Sequence, residues 1–256
     1  MFHEEFEAVS KAAVSKVGML KKNPMGYFIL AMLAGMYIGF GTLLIFSIGG
    51  MLNGQPYVKI VMGVSFGIAL SLVIIAGAEL FTGNNLVMVA GMMKKTIKIS
   101  DGIKLWIVCY LGNIVGSVLL AILFQYSGLS TGAIGEFIAS AAVAKMSVPA
   151  GALFIRGILC NILVCLAVWC GFKCKSESGK LIMIFWCLFA FITTGFEHSV
   201  ANMTLLTAAL LNPCGQAVTI GGWVYNLGIV TLGNMVGGII FVALPYYIVA
   251  IKKEEK

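Results

Sequence analysis

Gly77-Ala78-Glu79-Leu80-Phe81-Thr82-Gly83-Asn84 and Gly195-Phe196-Glu197-His198-Ser199-Val200-Ala201-Asn202 are two copies of one pattern, displaced by 118 residues from 77 to 195. In each, a glycine opens the stretch, a glutamate follows two residues later and an asparagine closes it. Both copies interrupt apolar runs, 60–91 and 181–211, that exceed the roughly 20 residues a membrane-spanning helix needs. Polar residues and glycine at bilayer depth break a helix only where protein or a water-filled cavity covers the freed backbone groups. The two runs therefore read as discontinuous helices.

A second match lies downstream: Leu111-Gly112-Asn113-Ile114-Val115-Gly116 returns as Leu232-Gly233-Asn234-Met235-Val236-Gly237, an offset of 121 that differs from the first by a short insertion. Three helices separate the copies, so the second enters the membrane from the opposite side and the repeat is inverted. Inverted repeats with broken helices belong to transporters and channels, the architecture of water channels included. The remaining apolar runs are 26–50, 103–127, 149–171 and 223–250, giving six spans in all. With 60% hydrophobic and 11% charged residues and a mean hydropathy of +1.02, most of the surface must face lipid.

These runs predict an all-α membrane protein: an amphipathic helix over 1–22, a first three-helix repeat over 23–127, an extracytoplasmic linker over 128–148, a second repeat over 149–251 and a tail over 252–256. The first segment carries Phe2, Phe6, Val9, Ala13, Val17 and Leu20 at helical spacing. Its lysines and glutamates exclude a cleaved signal peptide. Four lysines fall in 1–25, four in 90–104, three in 171–180 and three in 252–256, whereas the alternate loops carry only Lys59 and Lys145. By the positive-inside rule both termini are cytoplasmic, which an even number of spans satisfies. The net charge of +7 is thus mainly a topology signal, and no aromatic-basic constellation suggests a nucleic-acid partner.

Glu79 and Glu197 are the only two of ten acidic residues placed deep in apolar runs. Each costs at least ~2.5 kcal/mol on insertion scales, so their matched positions imply a role. Two roles stay open: accepting hydrogen bonds from amides that the break releases, with Asn202 as a further loop-supporting residue, or relaying protons. His198 offers either a cation or proton donor for an anion, or a neutral core ring bonded to a backbone carbonyl. Thr82 can bond a ligand or its own helix. Asn161 is either a pore residue or helix-packing glue. Lys16, on the apolar stripe of the first helix, either snorkels to the headgroups or sits at a pore mouth, and Lys145 lies just outside the span that contains Asn161.

No Walker motif, HExxH, Gly-x-Ser-x-Gly or paired histidines are present, so nothing supports an ATPase, a hydrolase or a haem or zinc site. Seven cysteines show neither a disulfide framework nor a CxxC site. The expectation is a non-enzyme without cofactor or metal. Asn212-Pro213-Cys214 reads as a turn before the last span.

The sequence resembles the formate/nitrite transporter family of bacterial anion channels across nearly its whole length. The resemblance rests on Ala78-Glu79-Leu80-Phe81-Thr82-Gly83, on the run Gly157 to Trp169, and on Gly195-Phe196-Glu197-His198-Ser199-Val200-Ala201-Asn202-Met203. It implies a homopentamer in the bacterial inner membrane, with a pore in each protomer. His198 would lie at the pore centre with Thr82 opposite, and Asn161, Lys16 and Lys145 along the path. Phe66, Leu70, Leu80, Val164 and Phe191 would form two apolar constrictions. The implied substrates are hydrosulfide, formate or nitrite, and the chain is most similar to the hydrosulfide-conducting branch. A neutral-solute channel of the water or glycerol type is the competing reading, and a haem-bearing membrane subunit of a redox enzyme a more distant one.

Overall fold

A computed structural model describes residues 2–251, and the expected tail at 252–256 lies outside the described residues. The described residues contain helices and no strand. In chain order they are α1 (His3–Lys22), α2 (Pro24–Met51), α3 (Val58–Ser65), α4 (Gly67–Ser71) running into a π-helical turn Leu72–Gly77, α5 (Phe81–Met93) and α6 (Ile99–Tyr126). The second half continues with α7 (Gly132–Met146), α8 (Ala150–Lys173), α9 (Glu177–Thr194), α10 (Ser199–Leu211), α11 (Ile220–Gly238), a π-helical turn Ile239–Ala243 and α12 (Leu244–Ala250). Six stretches are long and apolar enough to cross a membrane: 24–51, 58–77, 99–126, 150–173, 177–194 and 220–250. The protein is a multi-pass membrane protein of two inverted three-span repeats.

The second and fifth spans break where the glycine-glutamate pattern falls. Gly77 and Gly195 occupy the left-handed region at φ 81° and 80°, a conformation glycine adopts without the penalty of a Cβ. The chain then runs extended through Leu80 (φ −102°, ψ 123°) and His198 (φ −109°, ψ 117°) before α5 and α10 begin. Around each break the outer helices pair closely, α2 on α6 and α8 on α11. A Cβ on Gly116 would collide with the Met32 carbonyl, and one on Gly237 with the Ile158 carbonyl. These small residues let backbones approach where lipid offers no hydrophobic drive for helix association.

The segment expected as a linker, 128–148, is mostly the helix α7. Its buried residues Gly135, Ile138, Ala139 and Ala142 fall 129 positions after Phe6, Val9, Ser10 and Ala13, buried residues of α1. An amphipathic helix with matching buried positions thus precedes each three-span repeat. The apolar face of α7 is built of alanine, glycine and isoleucine, a stripe too weak in hydrophobic contrast for its period to stand out in sequence.

Candidate functional site

The amides freed by each break are satisfied by the second repeated motif. Phe81 N–H donates to Asn113 Oδ1 at 3.0 Å and Ser199 N–H to Asn234 Oδ1 at 2.9 Å. Asn113 Nδ2 donates to the Ala31 and Glu79 carbonyls at 2.7 and 2.9 Å, and Asn234 Nδ2 to the Gly157 and Glu197 carbonyls at 2.7 and 2.9 Å. The glutamate amides close the pattern, Glu79 N–H on the Leu30 carbonyl and Glu197 N–H on the Arg156 carbonyl, each at 3.2 Å. Asn113 and Asn234 were visible in sequence only as a recurring Leu-Gly-Asn. No local rule says that an asparagine some 32 residues downstream will cap a break.

The glutamate carboxylates bond side chains instead of freed amides. Glu79 accepts from Lys16 Nζ at 2.6 Å, Tyr27 Oη at 2.9 Å and Asn84 Nδ2 at 3.0 Å. Glu197 accepts from Lys145 Nζ at 2.7 Å and Asn202 Nδ2 at 2.6 Å. One lysine of each amphipathic helix, Lys16 and Lys145, is therefore tied to the glutamate of the following break. Burial of a lone carboxylate would be costly, and the ion pair with added hydrogen bonds offsets that cost.

His198 and Thr82 meet between the breaks. The Ala201 amide donates to His198 Nδ1 at 3.1 Å, so Nδ1 must keep its lone pair, and the imidazole caps its own helix. The ring proton then sits on Nε2, which donates to Thr82 Oγ1 at 2.9 Å. An imidazolium would carry a proton on both nitrogens and lose the cap. The geometry therefore fits a neutral ring bonded to a backbone amide and a hydroxyl, and leaves the Thr82 hydroxyl proton for another acceptor. Asn161 Nδ2 donates to the Thr82 carbonyl at 3.2 Å and the Asn234 carbonyl at 2.7 Å, bracing both halves from outside the cavities.

Three cavities lie along one path. One of about 380 Å³ includes Lys145, Glu197, Phe191 and His198 in its wall. Another of about 310 Å³ includes Lys16, Leu70, Leu80 and Asn84. Between them a chamber of about 10 Å³ is walled by Phe66, Leu70, Leu80, Val164, Phe191 and His198, with Ile38 and Leu188. Phe191 and His198 are shared with the first cavity, Leu70 and Leu80 with the second, so an apolar barrier closes each side. Phe66 and Phe191 meet edge to face at 5.6 Å, and Phe191 stacks on His198 at 5.9 Å. A chamber of this size holds about one water; a hydrated ion does not fit.

Broken half-helices, a buried polar pair and apolar barriers between two cavities define a membrane transport protein of the inverted-repeat class. The chain belongs to the formate/nitrite transporter family, whose sequence profile matches residues 3–248. It is 41% identical over 260 residues to the nitrite transporter NirC of Salmonella typhimurium, covering 100% of this chain and 94% of that protein. A solved FNT family ion channel superposes with a TM-score of 0.93 at 39% identity, covering 97% of this chain and 99% of the other. A pentameric formate channel with formate bound gives a TM-score of 0.78 at 30% identity, covering 91% and 99%.

Proposed function

We propose that the protein is a channel for small monovalent weak-acid anions, formate, nitrite or hydrosulfide, assembled as a homopentamer in the bacterial inner membrane with both termini cytoplasmic. The observation that carries this reading is the Thr82–His198 hydrogen bond of 2.9 Å, enclosed by apolar side chains between two lysine-bearing cavities. The 41% identity to a nitrite transporter and the likeness to a formate channel support the substrate class.

Magnitudes favour passage of a nearly neutral species. The idealised cost of moving a carboxylate-sized ion into a low-dielectric region is of order 20 kcal/mol. Protonating a weak acid whose pKa lies about three units below the ambient pH costs only about 4 kcal/mol. Phe66, Phe191, Leu70 and Leu80 thus act as a filter against permanently charged ions. The Thr82 hydroxyl, which accepts the His198 Nε2–H and keeps its own proton free, replaces part of the hydration that the permeant loses in the chamber. His198 serves as a hydrogen-bond donor, with its proton retained by the Nδ1 cap.

Flux of hydrosulfide, formate, nitrite and chloride into proteoliposomes, with and without a pH gradient, tests the reading in the wild type and in His198→Ala. Selective weak-acid flux, driven by the pH gradient and reduced in the variant, is the expected result. Water permeation without anion flux would replace it with a neutral-solute channel.

A further inference from the structure

The two cavities that flank the chamber differ in charge in a way the scaffold does not require. The wall of the larger contains Lys59, Lys145, Arg156 and Glu197. Lys145 and Glu197 pair at 2.7 Å and cancel at a distance, whereas Lys59 and Arg156 form no ion pair among the described residues and are exposed. In the opposite cavity Lys16 is cancelled by Glu79 at 2.6 Å, leaving Lys180 alone. The repeat sharpens this contrast. At the offset of 118, Lys59 corresponds to Glu177. Leu30 and Arg156, 126 residues apart, accept the Glu79 and Glu197 amides in the same way, so Arg156 corresponds to Leu30.

We propose that Lys59 and Arg156 form a collecting site for small anions in the Lys145-face cavity, where two uncompensated cations outweigh the single Lys180 of the other face. The two mouth lysines that the sequence singles out, Lys16 and Lys145, hold the breaks; the uncompensated charge that gathers anions is carried by Lys59 and Arg156. Two cations bordering a concave, low-dielectric wall raise the local concentration of anions over bulk. Because the site holds the anion ahead of the Phe191 barrier, entry from this face saturates at a lower concentration than entry from the Lys16 face. Microscopic reversibility keeps the limiting permeability equal in both directions, so the asymmetry appears in the half-saturating concentration. The inference rests on the anion-channel reading above.

The test uses radiolabelled formate and nitrite with full-length protein in proteoliposomes, selected for one orientation through a tag at the N-terminus, which lies on the Lys16 face. Wild type is expected to half-saturate at a lower concentration from the Lys145 face, and to lose that advantage when an impermeant salt shortens the Debye length from ~30 Å at 0.01 M to ~3 Å at 1 M. In Lys59→Gln/Arg156→Gln the half-saturating concentration from that face should rise about threefold to tenfold and lose its salt dependence. The maximal rate should not fall, and entry from the Lys16 face should be unchanged. Arg156→Lys should restore most of the effect. Lys59→Gln alone, at an exposed position in the first turn of α3, serves if the double variant does not assemble, with a smaller rise of the same kind. Half-saturation and salt response equal to wild type in a conducting variant would overturn the collecting site and leave the channel reading standing. A wild type that moves neither anion from either face would overturn both.

Discussion

The two helix breaks share a backbone and part company in their side chains. Leu80 and His198 stand at corresponding positions with nearly the same φ and ψ, and each is the residue before its half-helix. Leu80 supplies no side-chain cap of its own and presents an apolar face to the chamber and the Lys16-side cavity. His198 caps its helix through Nδ1 and reaches across to Thr82 through Nε2. Thr82 in turn corresponds to Val200, so the polar contact takes one member from each break and has no symmetric copy. Duplication built the scaffold; divergence at two positions in each half made a single polar centre flanked by apolar barriers.

The largest effect should fall on what the halves share. Asn113→Leu and Asn234→Leu each strip three buried hydrogen bonds. Each unsatisfied buried group costs about 1–3 kcal/mol, so a loss of about 3–5 kcal/mol is expected in either half. Thermal unfolding of the detergent-solubilised oligomer measures it, and strongly unequal losses would break the equivalence of the two caps.

Next in size is the difference between the halves. His198→Leu, which installs the residue of the first break in the second, should lower anion flux about 10- to 100-fold, the equivalent of removing one strong buried hydrogen bond. Flux near wild type would demote the polar pair to a structural contact. Gly77→Ala and Gly195→Ala meet no atom within 4 Å of the new Cβ, so each should cost only the left-handed backbone penalty of roughly 1–2 kcal/mol. Equal shifts in unfolding would sharpen the symmetry.

The smallest effect separates the amphipathic helices. Lys94 pairs with Glu7 at 3.0 Å and holds its carboxyl below the usual carboxylate range. The stabilisation is therefore fully present above the unfolded carboxylate pKa and is lost as pH falls through the lower folded value. Glu136, the counterpart of Glu7, forms no ion pair among the described residues, and Asn212 stands in place of Lys94. Acidification should cost no more than ~1 kcal/mol, as for exposed pairs. Glu7→Gln should remove that acid sensitivity and Glu136→Gln should not, as unfolding measured across pH 3–6 would reveal.

Six spans, two breaks and their inversion were legible in the chain because apolar length and interruption by glycine and polar residues are local properties. The resemblance to a transporter family was legible for the same reason, in contiguous motifs. Tertiary structure alone decided the rest. It made caps of Asn113 and Asn234, matched α7 to α1, tied Lys16 and Lys145 to carboxylates and left Lys59 and Arg156 uncompensated. It also fixed the proton of His198 on Nε2 through an amide on Nδ1. Each of these depends on which donor meets which acceptor across packed helices, and that is set by three-dimensional register between segments far apart in sequence.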